Sequence, residues 1–227
     1  MPASHYYQMN EIAELAFIKA PKSVLDIGVG FGKYGVLLRE YLDVWNERYS
    51  QDQWQTRIDG IEVFKEYISP LHKFIYNQIY FGNALEILPK LEHTYDLILL
   101  IDVLEHFSRD QGLKLLEHCQ QRAKSIIVST PKKFLKQKDV FGNVFETHQS
   151  WWKESDFRLP GLFKKKFFVR NKISLICYAG EDVDFVKKEL SKRRNVLEKT
   201  FILLLTFWDY ISQFLGRYAG TARALKE

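Results

Sequence analysis

The chain has 227 residues, of which 46% are hydrophobic and 15% aromatic, which suits one globular domain with an appendage. These proportions exclude a disordered chain, and the six prolines and 12 glycines exclude a collagen-like or low-complexity protein. Lys and Arg number 33 against 28 Asp and Glu, which gives a formal net charge of +5, and the clustering of basic residues in the C-terminal half favours an anionic partner over a cationic one.

Along the chain, short apolar runs alternate with stretches of helical periodicity. Helices are predicted over residues 10–20 (capped by Asn10), 33–46, 64–77 (broken at Pro70) and 109–122. Strands are predicted over residues 23–27, 57–63, 78–81, 95–101 and 125–129, followed by an antiparallel pair over 166–170 and 173–179. This alternation predicts an α/β domain with a mostly parallel sheet flanked by helices.

A glycine-rich loop, residues 26–32 (DIGVGFG), lies between the first predicted strand and a helix. Glycines let the backbone approach a ligand closely, and the helix offers free N–H groups to it. Gly30, Gly32 and Gly35 match the dinucleotide pattern G-x-G-x-x-G, which would predict an NAD(P)-dependent oxidoreductase. That pattern requires an acid about 20 residues later, but Glu62 is further away, and Asp26 is left unexplained.

Counted from Asp26, the same loop resembles the first motif of class I S-adenosylmethionine-dependent methyltransferases. The resemblance continues in order over residues 10–180, in Glu62 and in the stretches 82–84 (GNA), 95–98 (YDLI), 102–106 (DVLEH) and 129–131 (STP). The stretch 102–106 is similar to the E/D-x-x-E-H motif of small-molecule methyltransferases. The resemblance implies a Rossmann-like, seven-stranded, mostly parallel sheet.

The resemblance also implies a site for S-adenosylmethionine, whose product is S-adenosylhomocysteine. By position in the motifs, Asp26 would hold the amino group of the cofactor and Glu62 would accept both ribose hydroxyls. The other cofactor-binding residues that it implies are Gly28, Gly30, Gly32, Asn83, Ala84 and Asp102. The alternative for Asp26 is to cap backbone N–H groups of its own loop.

The candidate catalytic residues are Asp102, His106 and His148. Asp102 and His106 follow the fourth predicted strand, and ligands of parallel α/β sheets bind at the carboxyl ends of strands. His106 is a candidate general base, because the pKa of histidine lies near neutrality. Its alternative is a local pair with Glu105 at a helix start. His148 lies in residues 143–152 (NVFETHQSWW), which resemble a segment of the same relatives.

Asp102, Glu105, His106 and His148 also form a candidate metal set. They resemble the E-x-x-E-H motif and later histidine with which small-RNA 2′-O-methyltransferases bind a divalent metal. Two carboxylates and two imidazoles suit Mg²⁺, Mn²⁺ or Zn²⁺. Because metal-free relatives share the E-H pair, a site without metal is the expectation and this set is the alternative.

The C-terminal part differs in pattern, so the domains are predicted as 1–182 and 183–227. Apolar residues recur every three or four positions over 183–216, which predicts an amphipathic helical segment. Three roles stay open for it: contact with a membrane surface, a homodimer or partner helix, or packing on its own domain. The chain shows neither a signal peptide nor an apolar run of about 20 residues, and two cysteines suit a reducing compartment, so a cytoplasmic location is predicted.

The predicted function is methyl transfer to an oxygen of a small-molecule, glycan or lipid-linked acceptor. RNA is the alternative acceptor, because basic residues cluster in the C-terminal half. Two other classes remain, a non-catalytic scaffold with this fold and an NAD(P)-dependent oxidoreductase. The three basic clusters are Lys132, Lys133, Lys136 and Lys138; Lys164, Lys165, Lys166, Arg170 and Lys172; and Lys187, Lys188, Lys192, Arg193 and Arg194.

Overall fold

Seven strands form one sheet in the first of the two compact units of the chain, Met1–Val186. The computed structural model describes residues 4–134, 136–140, 142–159, 161–196 and 207. The strands are β1 (Ser23–Ile27), β2 (Arg57–Glu62), β3 (Gln78–Phe81), β4 (Tyr95–Ile101), β5 (Ala123–Pro131), β6 (Lys166–Val169) and β7 (Ser174–Gly180). Their order is β3-β2-β1-β4-β5-β7-β6. The first five strands are parallel, and β7 is antiparallel to both β5 and β6. The predicted α/β fold with its seven-stranded, mostly parallel sheet is therefore confirmed.

Of the five α-helices that precede β6 in the described residues, four lie at predicted positions, the last with its predicted ends and the other three with changed ends; the short fourth helix was not predicted. The helices are α1 (Met9–Lys19), α2 (Lys33–Leu42), α3 (Pro70–Ile75), α4 (Ala84–Ile87) and α5 (Arg109–Arg122). The prediction of Asn10 as a cap is wrong, because α1 already begins at Met9. Pro70 does interrupt the segment predicted over 64–77: it is the first residue of α3, where its missing N–H costs no helical hydrogen bond.

The core lies on both faces of the central strand β4. Leu97, Ile98, Leu99 and Leu100 are fully buried, as a parallel strand covered by helices on both sides requires. Burying one such side chain contributes about 1.5–3 kcal/mol. The rigid centre of the sheet therefore fixes the strand ends that carry the candidate site.

The segment after β7 is described only in part. Residues 183–196 are helical, and within the second compact unit, Lys187–Glu227, Lys192 pairs with Glu189 at 2.6 Å. The predicted amphipathic pattern at 197–216 lies outside the described residues, except Phe207. Among the residues that the structure describes, no helix is long and apolar enough to cross a membrane. The predicted division at 182 and 183 stays a prediction.

Candidate active site

A cavity of about 400 Å³ opens at the carboxyl ends of the parallel strands. Its walls come from the loops that follow β1, β2, β3, β4 and β5. The strands after β1 are added on one side of it and those from β4 onward on the other side, so the strand order reverses between β1 and β4. Open α/β sheets bind ligands at such a switch point. The volume falls in the range of small-molecule and cofactor sites.

The glycine loop after β1 forms one wall of this cavity. Gly28, Gly30 and Gly32 all have positive φ, at 77°, 52° and 84°. A Cβ at Gly28 would also lie 2.7 Å from the Cγ2 atom of Val103, closer than real contacts allow. Both the backbone conformation and the close approach therefore require glycine here.

Gly35, the last glycine of the dinucleotide pattern, has a different role. It lies within α2, where a Cβ would be 2.4 Å from the Cζ atom of Tyr76. Its small size lets α2 pack against the Tyr76 ring, and it does not line the cavity among the described residues. Gly35 therefore serves helix packing and not ligand contact.

Glu62 is held at the end of β2 by two backbone donors. The N–H of Gly30 donates to Oε2 and the N–H of Phe64 donates to Oε1, both at 2.9 Å. Burial raises the pKa of this carboxyl, and the same two hydrogen bonds oppose that rise. Each carboxylate oxygen has a second lone pair, so the pair can still accept hydroxyl donors from the cavity.

Asp26 is buried, and its carboxylate is hydrogen-bonded to Tyr76. Its Oδ2 atom accepts the Tyr76 hydroxyl at 2.6 Å, and the residue is not among the described residues that line the cavity. Burial raises the pKa of Asp26 to about 7, against the opposing hydrogen bond from Tyr76 and with a smaller contribution from Glu62. The predicted contact with the amino group of the cofactor stays a prediction.

His72 supports the glycine loop, although no motif in the sequence indicates it. The backbone N–H of Ser69 donates to Nδ1 at 3.1 Å, so this nitrogen carries the lone pair. The proton therefore lies on Nε2, which donates to the carbonyl oxygen of Gly30 at 2.9 Å. The imidazole is 1% exposed and fixes the orientation of the Gly30 peptide.

Asn83 and Ala84 follow β3 and line the cavity, at the position given by sequence. The Oδ1 atom of Asn83 accepts the N–H of Leu85 at 3.0 Å and so caps α4. This bond leaves the amide nitrogen of Asn83 as its donor group. Ala84 is buried at the first position of α4, where a larger side chain would reduce the cavity.

Asp102 has the strained backbone of a functional site, with φ at 52° in a residue other than glycine. Its carboxylate lines the cavity and accepts Ser129 Oγ at 2.9 Å and Gln8 Nε2 at 2.5 Å. Burial raises the pKa of Asp102, and these two hydrogen bonds oppose the rise. Gln8 thereby joins the N-terminal segment to the end of β4.

Glu105, His106 and His148 come together although His148 is far from the other two in sequence. One ligand atom from each lies within 4.8 Å of the other two. The two imidazole rings are 5.0 Å apart and nearly perpendicular. Asp102 is not in this set among the described residues, so the four-residue metal set predicted from sequence is reduced to three.

The environment of this cluster disfavours the charged forms of Glu105 and His106. Burial, followed by the charge of Asp102, raises the pKa of Glu105 well above its ordinary value. Burial, followed by the charge of His148, lowers the pKa of His106 to about 4, so this ring is neutral at pH 7. In the described part of the chain, Glu105 Oε2 and His106 Nδ1 are buried without a hydrogen-bond partner. Buried polar atoms without a protein partner are commonly satisfied by a bound water, an ion or a ligand.

Glu146 and Tyr67 also line the cavity, although the sequence did not indicate them, and the Tyr67 ring lies 5.1 Å from the ring of Phe31 in the glycine loop. The Tyr67 hydroxyl donates to Glu146 Oε1 at 3.1 Å and accepts Asn143 Nδ2 at 3.2 Å. No motif marks these residues, because their loops meet only in the folded chain. With Glu146 included, four carboxyl residues line the cavity together with Lys33: Glu62, Asp102, Glu105 and Glu146. Even without a charge on Glu105, the other three carboxyl groups outnumber Lys33, so the interior favours cations.

The comparisons with known proteins agree with this geometry. A family model described as a methyltransferase domain matches residues 4–163, well over half of the chain. A search of curated proteins finds none that matches this chain.

Solved methyltransferase structures share the fold at 14% sequence identity. An O-methyltransferase family protein from Burkholderia thailandensis has a TM-score of 0.53, with 76% of this chain and 55% of that chain covered. The N-terminal domain of EvdMO1, determined in the presence of S-adenosylhomocysteine and D-fucose, has a TM-score of 0.55, with 78% of this chain and 84% of that domain's chain covered. A methyltransferase from Archaeoglobus fulgidus has a TM-score of 0.53, with 75% of this chain and 94% of that chain covered. The chain thus spans about half the length of the Burkholderia protein.

A Rossmann-like sheet with a glycine loop and an acid at the end of β2 defines a nucleotide-cofactor enzyme fold. The family match is more specific: the chain belongs to the class I S-adenosylmethionine-dependent methyltransferases. The cofactor of this family is S-adenosylmethionine. The match decides between the two cofactor classes that the glycine loop left open, against the dinucleotide.

Proposed function

We propose that the protein transfers the methyl group of S-adenosylmethionine to a hydroxyl oxygen of a small-molecule, glycan or lipid-linked acceptor. The observation that carries this proposal is the cavity itself, where the glycine loop and Glu62 face the neutral imidazole of His106. One side of the cavity suits a nucleoside, and the other holds an imidazole that is unprotonated at pH 7 and can accept a proton from a hydroxyl group.

The residues that line the cavity fit the cofactor. Glu62 accepts the ribose hydroxyls with its remaining lone pairs, and the Asn83 amide donates to the adenine ring. The negative interior stabilises the positive sulfonium and ammonium groups. Asp26 acts indirectly, through its hydrogen bond with Tyr76, and the hydrogen bond from His72 orients the Gly30 peptide.

Transfer of the methyl group is an in-line displacement at carbon. When bound, the cofactor supplies an electrophilic methyl and leaves as a neutral thioether. His106, with its unpartnered Nδ1, accepts the proton that the acceptor hydroxyl loses as its oxygen bonds to the methyl carbon. Asp102, held by Ser129 and Gln8, and His148, beside His106, orient the acceptor. Positioning supplies much of the rate in such a reaction.

Calorimetric titration with S-adenosylhomocysteine tests the cofactor part of the proposal. We expect micromolar binding to the wild type and a loss of at least tenfold, about 1.4 kcal/mol, in Glu62→Ala, because two ribose hydrogen bonds are removed. The control is Glu66→Ala, which removes an exposed carboxylate from the turn after β2.

Two results would go against it. Equal losses in both variants would show that Glu62 has no special contact with the ribose. A wild type that does not bind would point to the non-catalytic scaffold, with the cavity serving another ligand.

A second candidate function is 2′-O-methylation of RNA with a divalent cation. The observation that favours it is the cluster of Glu105, His106 and His148, whose ligand atoms lie within 4.8 Å of one another and include two unpartnered buried atoms. One carboxylate and two imidazoles are a donor set for Mn²⁺ or Zn²⁺. The cation would polarise the acceptor hydroxyl and lower its pKa.

Direct Mn²⁺ binding, followed by electron paramagnetic resonance, tests this cation site. If the cluster binds metal, His148→Ala should weaken binding at least roughly tenfold. The matched control is His93→Ala, which removes an exposed imidazole from the loop before β4 and should leave binding unchanged. Identical titrations of wild type and His148→Ala would remove the cation from the proposal.

The location and the contacts of the C-terminal segment remain proposals from sequence. We propose a cytoplasmic protein whose segment 183–216 contacts a membrane surface or a second copy of the chain. The basic residues at 187–194 and the apolar pattern after them support both the membrane contact and the contact with a second copy.

A further inference from the structure

A basic segment runs along the edge of the cavity after β5. The segment from Lys132 to Lys138 follows Pro131 and contains Gln137, and both of these residues line the cavity; residue 135 lies outside the described residues. At one end, the N–H of Lys132 donates to the Ile173 carbonyl at 2.8 Å. At the other end, Gln137 Nε2 donates to the Glu146 carbonyl at 2.8 Å. The segment is therefore fixed beside the opening at both ends.

The turn between β6 and β7 adds positive charge to the same place. Pro131 pairs with Ser174 in the sheet, so the residues just before Ser174 lie next to Lys132. The Nζ atom of Lys132 donates to the Asn171 carbonyl, which joins the two stretches directly. The two stretches together form what we call the basic rim, which comprises Lys132, Lys133, Lys136, Lys138, Arg170 and Lys172.

The charges of the basic rim are exposed and not neutralised by ion pairs. All six side chains belong to exposed residues. In the part of the chain that the structure describes, none of them lies within ion-pair distance of a carboxylate. Asp139 is the acid that follows the segment in sequence. Six positive charges around one side of an opening attract an anion.

The interior of the cavity has the opposite charge. Glu62, Asp102, Glu105 and Glu146 line it, with Lys33 as the cation. A phosphate placed inside would lie beside carboxyl groups, whereas a phosphate at the rim would meet lysines and an arginine. The interior of the cavity therefore suits a neutral reacting group, and the basic rim suits an anion.

We propose that the basic rim binds a phosphate or pyrophosphate group of the methyl acceptor while the acceptor's hydroxyl enters the cavity. This inference rests on the proposed methyl transfer and narrows its substrate class to phosphorylated hydroxyl compounds. The hydroxyl must lie several bonds from the phosphate, since the rim and the reacting site are separate. An internal RNA nucleotide fits less well, because its 2′-hydroxyl is close to the adjoining phosphate, which would then face the carboxyl groups.

The test compares two double variants with the same change in net charge. Lys133→Glu/Lys136→Glu reverses two charges of the basic rim. Lys22→Glu/Lys164→Glu reverses two exposed charges that precede β1 and β6, at the opposite end of the sheet. Calorimetry at fixed ionic strength measures inorganic pyrophosphate binding, and S-adenosylhomocysteine binding is measured for each protein as the check on the cavity.

A second arm of the experiment separates free from lipid-linked phosphate. Sedimentation with phosphatidylcholine vesicles that contain phosphatidic acid is compared with sedimentation with phosphatidylcholine alone. Binding in either arm that falls about tenfold in the rim variant and is unchanged in the control supports the inference. Such binding of pyrophosphate alone indicates a water-soluble acceptor, and such binding of the phosphatidic acid vesicles alone indicates a lipid-linked acceptor.

The contrary results are equally defined. Absence of binding in both arms, or equal losses in both double variants, overturns the basic rim as a phosphate site. RNA binding that depends on the rim while pyrophosphate and vesicles do not bind overturns it in favour of RNA. If the wild type does not bind S-adenosylhomocysteine, the proposed function fails; if it binds and only the phosphate arms fail, the rim alone is wrong.

Discussion

Replacing Trp152 with alanine is expected to lower the free energy of unfolding by about 3–5 kcal/mol. The indole is 1% exposed, and it packs so closely on Gly112 that a Cβ there would lie 2.3 Å from Cζ2. Phe157 packs beside it, and the Arg109 guanidinium lies 4.4 Å above the ring. Alanine would leave a cavity that these neighbours fill only in part. Denaturant-induced unfolding with linear extrapolation measures the change.

Trp151→Ala is the matched control for this prediction. The Trp151 ring is 44% exposed, and we expect a change of about 0.5 kcal/mol. Equal destabilisation by the two substitutions would contradict the different roles of the adjacent tryptophans.

Trp152 also holds the chain that positions His148. Its Nε1 atom donates to Ser150 Oγ at 2.8 Å, and the N–H of Gln149 donates to the Glu105 carbonyl at 2.7 Å. These bonds fix residues 148–152 against the end of β4, which places His148 beside His106. Stability and site geometry therefore depend on the same buried ring.

Replacing Asp26 with asparagine is expected to remove a decline in stability between about pH 4 and 7. The folded chain raises the pKa of this carboxyl from 3.8 to about 7, mainly by burial. Between these values the folded state holds a proton that the unfolded state has lost, so stability falls as the pH rises. Above about pH 7 both states are ionised and the difference is constant.

Asparagine has no charge to lose, so the variant should gain stability relative to the wild type across this interval. The gain at pH 8 is on the order of 4 kcal/mol, as a shift of about three pKa units implies. Thermal or denaturant unfolding at several pH values measures it, with Asp139→Asn, which removes an exposed carboxyl, as control. Parallel pH profiles for wild type and Asp26→Asn would show that the buried carboxyl does not titrate in this range.

Local sequence pattern was sufficient for most of the sheet. The ranges predicted for β1, β3, β4 and α5 agree with the structure at both ends. Each of these elements carries a strong signal within a few residues, such as an apolar run closed by glycine or a helical period after Ser108. β5 was predicted too short, because its ends at Ala123 and Pro131 are fixed by pairing with β4 and β7.

The glycine loop and the acids at strand ends were also evident from sequence, because parallel strands bring their carboxyl ends together wherever they occur in the chain. This rule placed Asp102 and His106 at the cavity, and the family resemblance placed Glu62 and Asn83 there. The family resemblance added what that cavity binds.

Only the tertiary structure decided which side chains face the cavity. It turned Asp26 toward Tyr76 and brought Glu146 and Tyr67 into the wall, whereas the meeting of His148 with His106 was already implied by the family resemblance. Such contacts join residues tens of positions apart, and they depend on how loops pack against a finished sheet. A sequence fixes the strands through local preferences, whereas the direction of a side chain at their ends depends on neighbours that only folding brings together.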